Sequence, residues 1–247
     1  MPALGDSTLA ADLRDDLRAA QAAFWDYVCS AGNWWTGAER RAVVEESRAA
    51  EHCALCRARA AALSPRAVAG THDRCTDLPE AAVDVMHRLR TDPGRLSRAW
   101  YEETRAAGLT DAQYVELVGL IAMIAGADRF ADALGVPRVV PPAARPGAPS
   151  RHRPAGAKDN GAWVPTVAAA DAVGPEADLY GGAERAPNIA ASLSLVPDAA
   201  RMLQRLGAAH YLPIEHVPDP TFRRGVLYRM QMELVAARVS ALNQCFY

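Results

Sequence analysis

The clearest chemical signal in this sequence is Cys53-Ala-Leu-Cys56. Two thiols three positions apart at a helix start can close a disulfide, and the helix dipole there favours the thiolate, which is the nucleophile and the metal ligand. The same pair serves thiol–disulfide exchange and zinc binding, and two buried small apolar side chains are the third reading. The spacing Cys53-x2-Cys56-x15-His72-x2-Cys75 has the look of a tetrahedral zinc site, with His87 a further ligand in place of Cys75. Against a zinc finger, Gly70-Thr-His-Asp-Arg-Cys75 lacks the small turn of a knuckle. Glu46, seven residues before Cys53, would share its face of one continuous helix and could act on its proton.

The elements that must position these residues read as helices joined by marked turns. One periodic segment runs from Leu9 to Cys29 and stops at Gly32. Thr36-Gly-Ala-Glu39 is a capping-box pattern opening a segment toward Cys53, and Ser64-Pro65 reads as an N-cap with proline at the first helical position. Further helices are expected over Pro79–Arg90 and Leu96–Ala107. A second capping box, Thr110-Asp-Ala-Gln113, opens a helix reaching Leu134. That helix is apolar on nearly every face and belongs in the centre of a bundle. Residues 138–160 are rich in Pro, Arg, Gly and Ala and read as an exposed linker or an arm over a partner surface. Helices resume near Ile189–Ala208 and Phe222–Leu242. No run alternates apolar and polar residues, so the expected class is all-α.

Met232-Glu-Leu-Val-Ala-Ala-Arg-Val-Ser-Ala-Leu-Asn-Gln-Cys245 resembles the approach to the redox motif of the alkylhydroperoxidase D-like / carboxymuconolactone decarboxylase superfamily. In that motif a glutamate is followed by eleven residues and then C-x-x-C-x-x-x-H; Glu233 and Cys245 match its spacing. Leu89 to Pro137 resembles the second half of the same domain. The resemblance implies an alkylhydroperoxidase D-like helical domain over 1–137, the linker, and the front part of a second such domain over 161–247. It implies an obligate homo-oligomer and a thiol-based peroxidase or disulfide reductase. A peroxidatic thiol attacks a peroxide or disulfide substrate, pairs with its neighbour, and is reset by a thiol electron donor, helped by a Glu/His proton relay. No cofactor is needed on this reading, whereas the rival reading, a non-catalytic metal-binding or oligomeric scaffold, takes zinc. A carboxymuconolactone decarboxylase-like enzyme is a third possibility, one that would not need the cysteine pair.

The site residues that follow are Cys53, Cys56 and Glu46 in the first unit and Glu233 with Cys245 in the second. Arg41 stands where the first unit's glutamate belongs and Ala60 where its histidine belongs, so the relay is missing there. In the second unit the chain stops at Tyr247, one position before the second thiol. A selenocysteine codon read as a stop is the expectation that follows, and the last helix would then want a partner chain to cover it.

The chain has 247 residues, 50% of them hydrophobic and 23% charged, which excludes a disordered tail and a disulfide miniprotein. A net charge of −2 leaves no electrostatic footprint for nucleic acid. The N-terminus is acidic and polar, and the longest apolar run, Leu117–Ala127, is far short of the roughly 20 residues that span a bilayer. A cytoplasmic protein with no membrane partner is expected, in a compartment where its five cysteines stay reduced.

Overall fold

The computed structural model describes residues 13–245. Among them, 56% of the chain is helical and 3% strand, which places the protein in the all-α class. The helices are α1 (Asp15–Cys29), α2 (Gly37–Ala49), α3 (Ala54–Ala61), α4 (Glu80–Thr91), α5 (Arg98–Ala106), α6 (Asp111–Leu134), α7 (Asn188–Ala191), α8 (Pro197–His210) and α9 (Arg229–Leu242). The expected start of the first helix at Leu9 lies outside the described residues.

Helix α6 is the axis of the molecule. Its capping box is formed as expected, with the Thr110 side chain accepting from Gln113 N–H, and Gly135 ends it in the left-handed region at φ 66°. Leu117, Leu120 and Ile124 are fully buried, and helices α2, α4 and α8 pack around them. At Gly119 a Cβ would stand 3.2 Å from Ala199 Cβ, so the missing side chain lets α8 approach closely. Helix α8, which follows the Pro-rich segment in sequence, therefore belongs to the same hydrophobic core as α1–α6.

The Pro-rich segment lies on the chain's own α1–α2 loop. Arg145 N–H donates to Cys29 C=O at 2.7 Å, Ser150 N–H to Gly32 C=O at 3.1 Å and Arg151 N–H to Asn33 C=O at 2.8 Å. Arg153 then closes a two-pronged ion pair on Asp111, 2.9 and 3.0 Å. A strand-poor segment without a core of its own thus finds backbone partners on an otherwise open loop.

Three local differences from the expected elements matter. The Thr36 capping box is formed, but the helix it opens ends at Ala49 and passes through a single 3-10 turn, Ala50–His52, before Cys53. Ser64-Pro65 begins only a 3-10 turn, Pro65–Ala67, so residues 62–79 are largely irregular. Before α9 the chain forms a two-residue hairpin, Arg223–Arg224 against Leu227–Tyr228, turned by Gly225 at φ 58°. Ala157–Lys158 also pairs antiparallel with Thr166–Val167, across the longer loop 159–165. Met232 is the one buried residue of α9, while Met230 and Leu234 are 80% and 72% exposed. No helix among the described residues is long and apolar enough to cross a membrane.

Candidate metal centre

The break after α2 sets up the site. Cys53 is extended (φ −65°, ψ 129°) and stands as the N-cap of α3, with Cys56 in that helix's first turn. One turn of α3 thereby aims both sulfurs the same way. Cys53 offers no side-chain oxygen as a cap, and the irregular segment supplies one instead, since Asp73 Oδ2 accepts from Ala54 N–H at 2.7 Å. In return Asp73 N–H donates to Cys53 Sγ at 3.4 Å. These two contacts fold the segment back over α3 and bring His72 onto the thiols. Its Nδ1 lies 3.7 Å from Cys53 Sγ and 3.6 Å from Cys56 Sγ.

The fourth donor comes from α4. His87 is fully buried, and its Nδ1 lies 3.2 Å from Cys56 Sγ. The donor atoms of Cys53, Cys56, His72 and His87 all fall within 4.8 Å of one another. Bond lengths of about 2.3 Å to sulfur and 2.0–2.1 Å to nitrogen give a tetrahedral zinc site S···N edges of about 3.6 Å. The three S···N separations, 3.7, 3.6 and 3.2 Å, bracket that value.

Each imidazole is backed by a carboxylate. His87 Nε2 is 2.9 Å from Glu46 Oε1, and His72 Nε2 is 2.9 Å from Asp84 Oδ1. A carboxylate partner claims the Nε2 proton and turns the Nδ1 lone pair toward the sulfurs, the arrangement that orients metal-bound histidines. Glu46 is itself held by Thr76 Oγ1 at 2.6 Å and Cys75 N–H at 3.1 Å; Asp84 is held by Arg59 Nη1 at 2.9 Å and Trp100 Nε1 at 2.8 Å. No donor or backing group is left without a partner.

The electrostatics separate the residues by role. Burial pushes the Cys53 thiol up, but hydrogen bonds from the Asp73 and Cys56 backbones and from His72 outweigh it and hold the thiol below its ordinary value. Burial disfavours the charged His72 ring, yet Asp84 and the two thiols raise it to about 10. For His87, burial together with the neighbouring His72 charge outweighs Glu46 and lowers it. Cys75 is pushed up to about 11 by burial and by the Glu46 charge. Cys53 and Cys75 are thus moved in opposite directions, the first toward the thiolate and the second away from it.

Of the residues singled out in the sequence, Cys53, Cys56, His72, His87 and Glu46 meet here. Cys75 does not join the four donors: its sulfur faces Glu46 Oε2 at 3.6 Å, behind His87. His87 takes its place, as the alternative ligand set allowed. Glu46 reaches the site through His87, not along a continuous helix face, because α2 ends between Glu46 and Cys53. Glu233 and Cys245 lie elsewhere, on and just beyond α9, where the Glu233 carboxylate takes Tyr211 Oη at 2.6 Å and Arg229 Nε at 2.5 Å. Sequence reasoning missed Asp84. Its one signal is Asp84-x-x-His87, which puts a carboxylate and an imidazole three residues apart on one helix. No known protein family, curated protein or solved structure matches the chain.

Proposed function

We propose that this chain is a zinc protein whose Cys53, Cys56, His72 and His87 hold one ion. The observation that carries the reading is the convergence of two thiols and two imidazoles within 4.8 Å, three of their S···N separations lying at 3.2–3.7 Å, with both Nε2 atoms on carboxylates. Two thiolates balance the double charge of the ion, and neutral imidazoles complete the shell. The ion would tie residues 62–79, which contain little regular structure, to the first turn of α3 and the middle of α4.

A dithiol that reduces peroxides is the second reading, favoured by one feature, the chain Cys56 Sγ–His87–Glu46, a thiol, imidazole and carboxylate in hydrogen-bond sequence. The two thiols would give a disulfide while the peroxide is reduced to an alcohol and water. One relay suffices for that chemistry, and the second imidazole with its own carboxylate has no task in it. The metal reading uses all four groups and ranks first.

Metal content decides between them. Protein purified without added metal is expected to carry about one zinc per chain, removed by a strong chelator with loss of stability. A metal-free chain, not loaded by added zinc, whose Cys53 and Cys56 form a peroxide-dependent disulfide reversed by dithiothreitol would replace the first reading by the second.

A further inference from the structure

We infer that His72 is the exchangeable donor of this centre, and that a small thiol enters from the cavity beside it to take its place. The inference rests on the zinc reading above. A cavity of about 650 Å³ opens between the 70–74 segment and helices α4 and α5, and among its lining residues are Arg59, His72, Arg74, Asp84 and Trp100. Of the four donors only His72 lines it.

The four donors are not equally anchored. Cys53 and Cys56 are fixed by the first turn of α3, and His87 sits mid-helix, fully buried against a fully buried Glu46. His72 is carried by irregular chain at the cavity edge, and its partner Asp84 is 30% exposed. Asp84 keeps Arg59 and Trp100 as donors whether or not His72 stays, so releasing that ring leaves no orphaned carboxylate. Releasing His87 would remove the imidazole, the sole hydrogen-bond partner shown for Glu46 Oε1, from a fully buried carboxylate. The weak arm is therefore the one that faces the cavity.

Without His72 the remaining set is two cysteines and one histidine, the composition of a zinc site with an open fourth position. Sulfur-rich sites favour soft donors. A thiol is a single-atom soft donor, and the negative charge it adds would lie on the side of the centre where Arg59 Nη1 stands 3.4 Å from His72 Nε2; the cavity lining carries Arg74 as well, together with Glu80, Asp84 and Glu103. The exchange balances without an oxidant or reductant: the S–H bond of the thiol and the His72 Nδ1–metal bond break, a sulfur–metal bond forms, and the proton goes to His72 Nδ1.

Cobalt(II) replaces zinc with visible bands that report its ligands, so the 247-residue chain loaded with cobalt is titrated with 2-mercaptoethanol and, separately, imidazole. Wild type and His72→Ala are expected to bind one cobalt. His72→Ala should then take up 2-mercaptoethanol at least 10-fold more tightly than wild type, with a new sulfur-to-cobalt charge-transfer band, while His87→Ala loses at least 100-fold in cobalt affinity. The inference is overturned if His72→Ala loses cobalt as fully as His87→Ala. It is equally overturned if His72→Ala holds cobalt with a spectrum that the thiol leaves unchanged, or takes imidazole and refuses the thiol. Titrating the wild-type cobalt protein guards against misfolding of the variant, since a thiol-dependent band shift without release of cobalt is required there too. Wild type that binds neither cobalt nor zinc overturns the zinc reading itself.

Discussion

Glu46 and His87 are 41 residues apart in sequence, yet Glu46 Oε1 lies 2.9 Å from His87 Nε2 with both side chains fully buried. A carboxylate is taken out of water here only because four donors meet it: His87, Thr76 and the Cys75 backbone and thiol. Burial pushes the carboxyl up, but Thr76, His87 and the Cys75 backbone outweigh it and hold Glu46 below its ordinary value. The pair joins α2 to α4 and sets the direction in which the ring presents Nδ1.

Glu46→Gln tests that role. Glutamine keeps the shape but gives up the charge that raises the basicity of the His87 ring. Zinc affinity, read by competition with a chromogenic chelator, should fall by about 10–100-fold. A chain that folds and binds zinc as tightly as wild type would remove Glu46 from the site.

Four of the five cysteines should divide two against two. Cys53→Ser and Cys56→Ser each remove a thiolate ligand and should abolish stoichiometric zinc, measured by elemental analysis of the purified chain. Cys75→Ser and Cys245→Ser should keep about one zinc per chain, because Cys75 faces Glu46 and Cys245 lies beyond α9. Loss of zinc from Cys75→Ser would restore the ligand set that the C-x2-C-x15-H-x2-C spacing favours.

What the sequence made legible was local. Both capping boxes, Thr36–Glu39 and Thr110–Gln113, are formed where their patterns stand, and the apolar α6 is the central helix. The cysteine pair was visible for the same reason, since one helical turn fixes its geometry. Harder to read was the site around it. Ala60 stands at the position of the resembled family's histidine, and no spacing rule says that imidazoles will arrive instead from an irregular segment and from α4. His72 reaches the thiols because Asp73 caps α3, and His87 because α4 packs on α2 and α6. Neither contact has a sequence period. His87 did leave a trace: it follows Val83 by four residues on the buried face of α4, an ionisable group in an apolar stripe.

Metal removal should cost stability throughout the bundle, because the site joins α3 and α4. Zinc present at 1,000 times its dissociation constant contributes about 4 kcal/mol. For a chain of this size that corresponds to a fall of roughly 10 °C in melting temperature on chelation, restored by added zinc. An unchanged melting temperature after verified removal would mean that the unfolded chain holds the ion as tightly as the folded one, and that the site contributes nothing to the bundle.

A second buried ion pair provides a pH test away from the metal site. Arg40 and Glu116 are completely buried with Nε and Oε1 at 3.5 Å, while Trp34 N–H donates to Glu116 Oε2 at 2.6 Å. Burial pushes the Glu116 carboxyl up to about 7 despite the Arg40 charge. A carboxyl raised in the folded state binds its proton more tightly there than in the unfolded chain. Its stabilising contribution is fully present below the unfolded value of about 4.5 and is lost as pH rises toward 7, about 3 kcal/mol in all. Glu116→Gln has no such proton to lose. Denaturant unfolding of both proteins at pH 5 and pH 7.5 should show the variant gaining about 2–3 kcal/mol relative to wild type at the higher pH, whatever its offset at the lower one. A difference between the two proteins that stays constant with pH would place the Glu116 charge in the folded state at both values, with Arg40 then strong enough to outweigh burial.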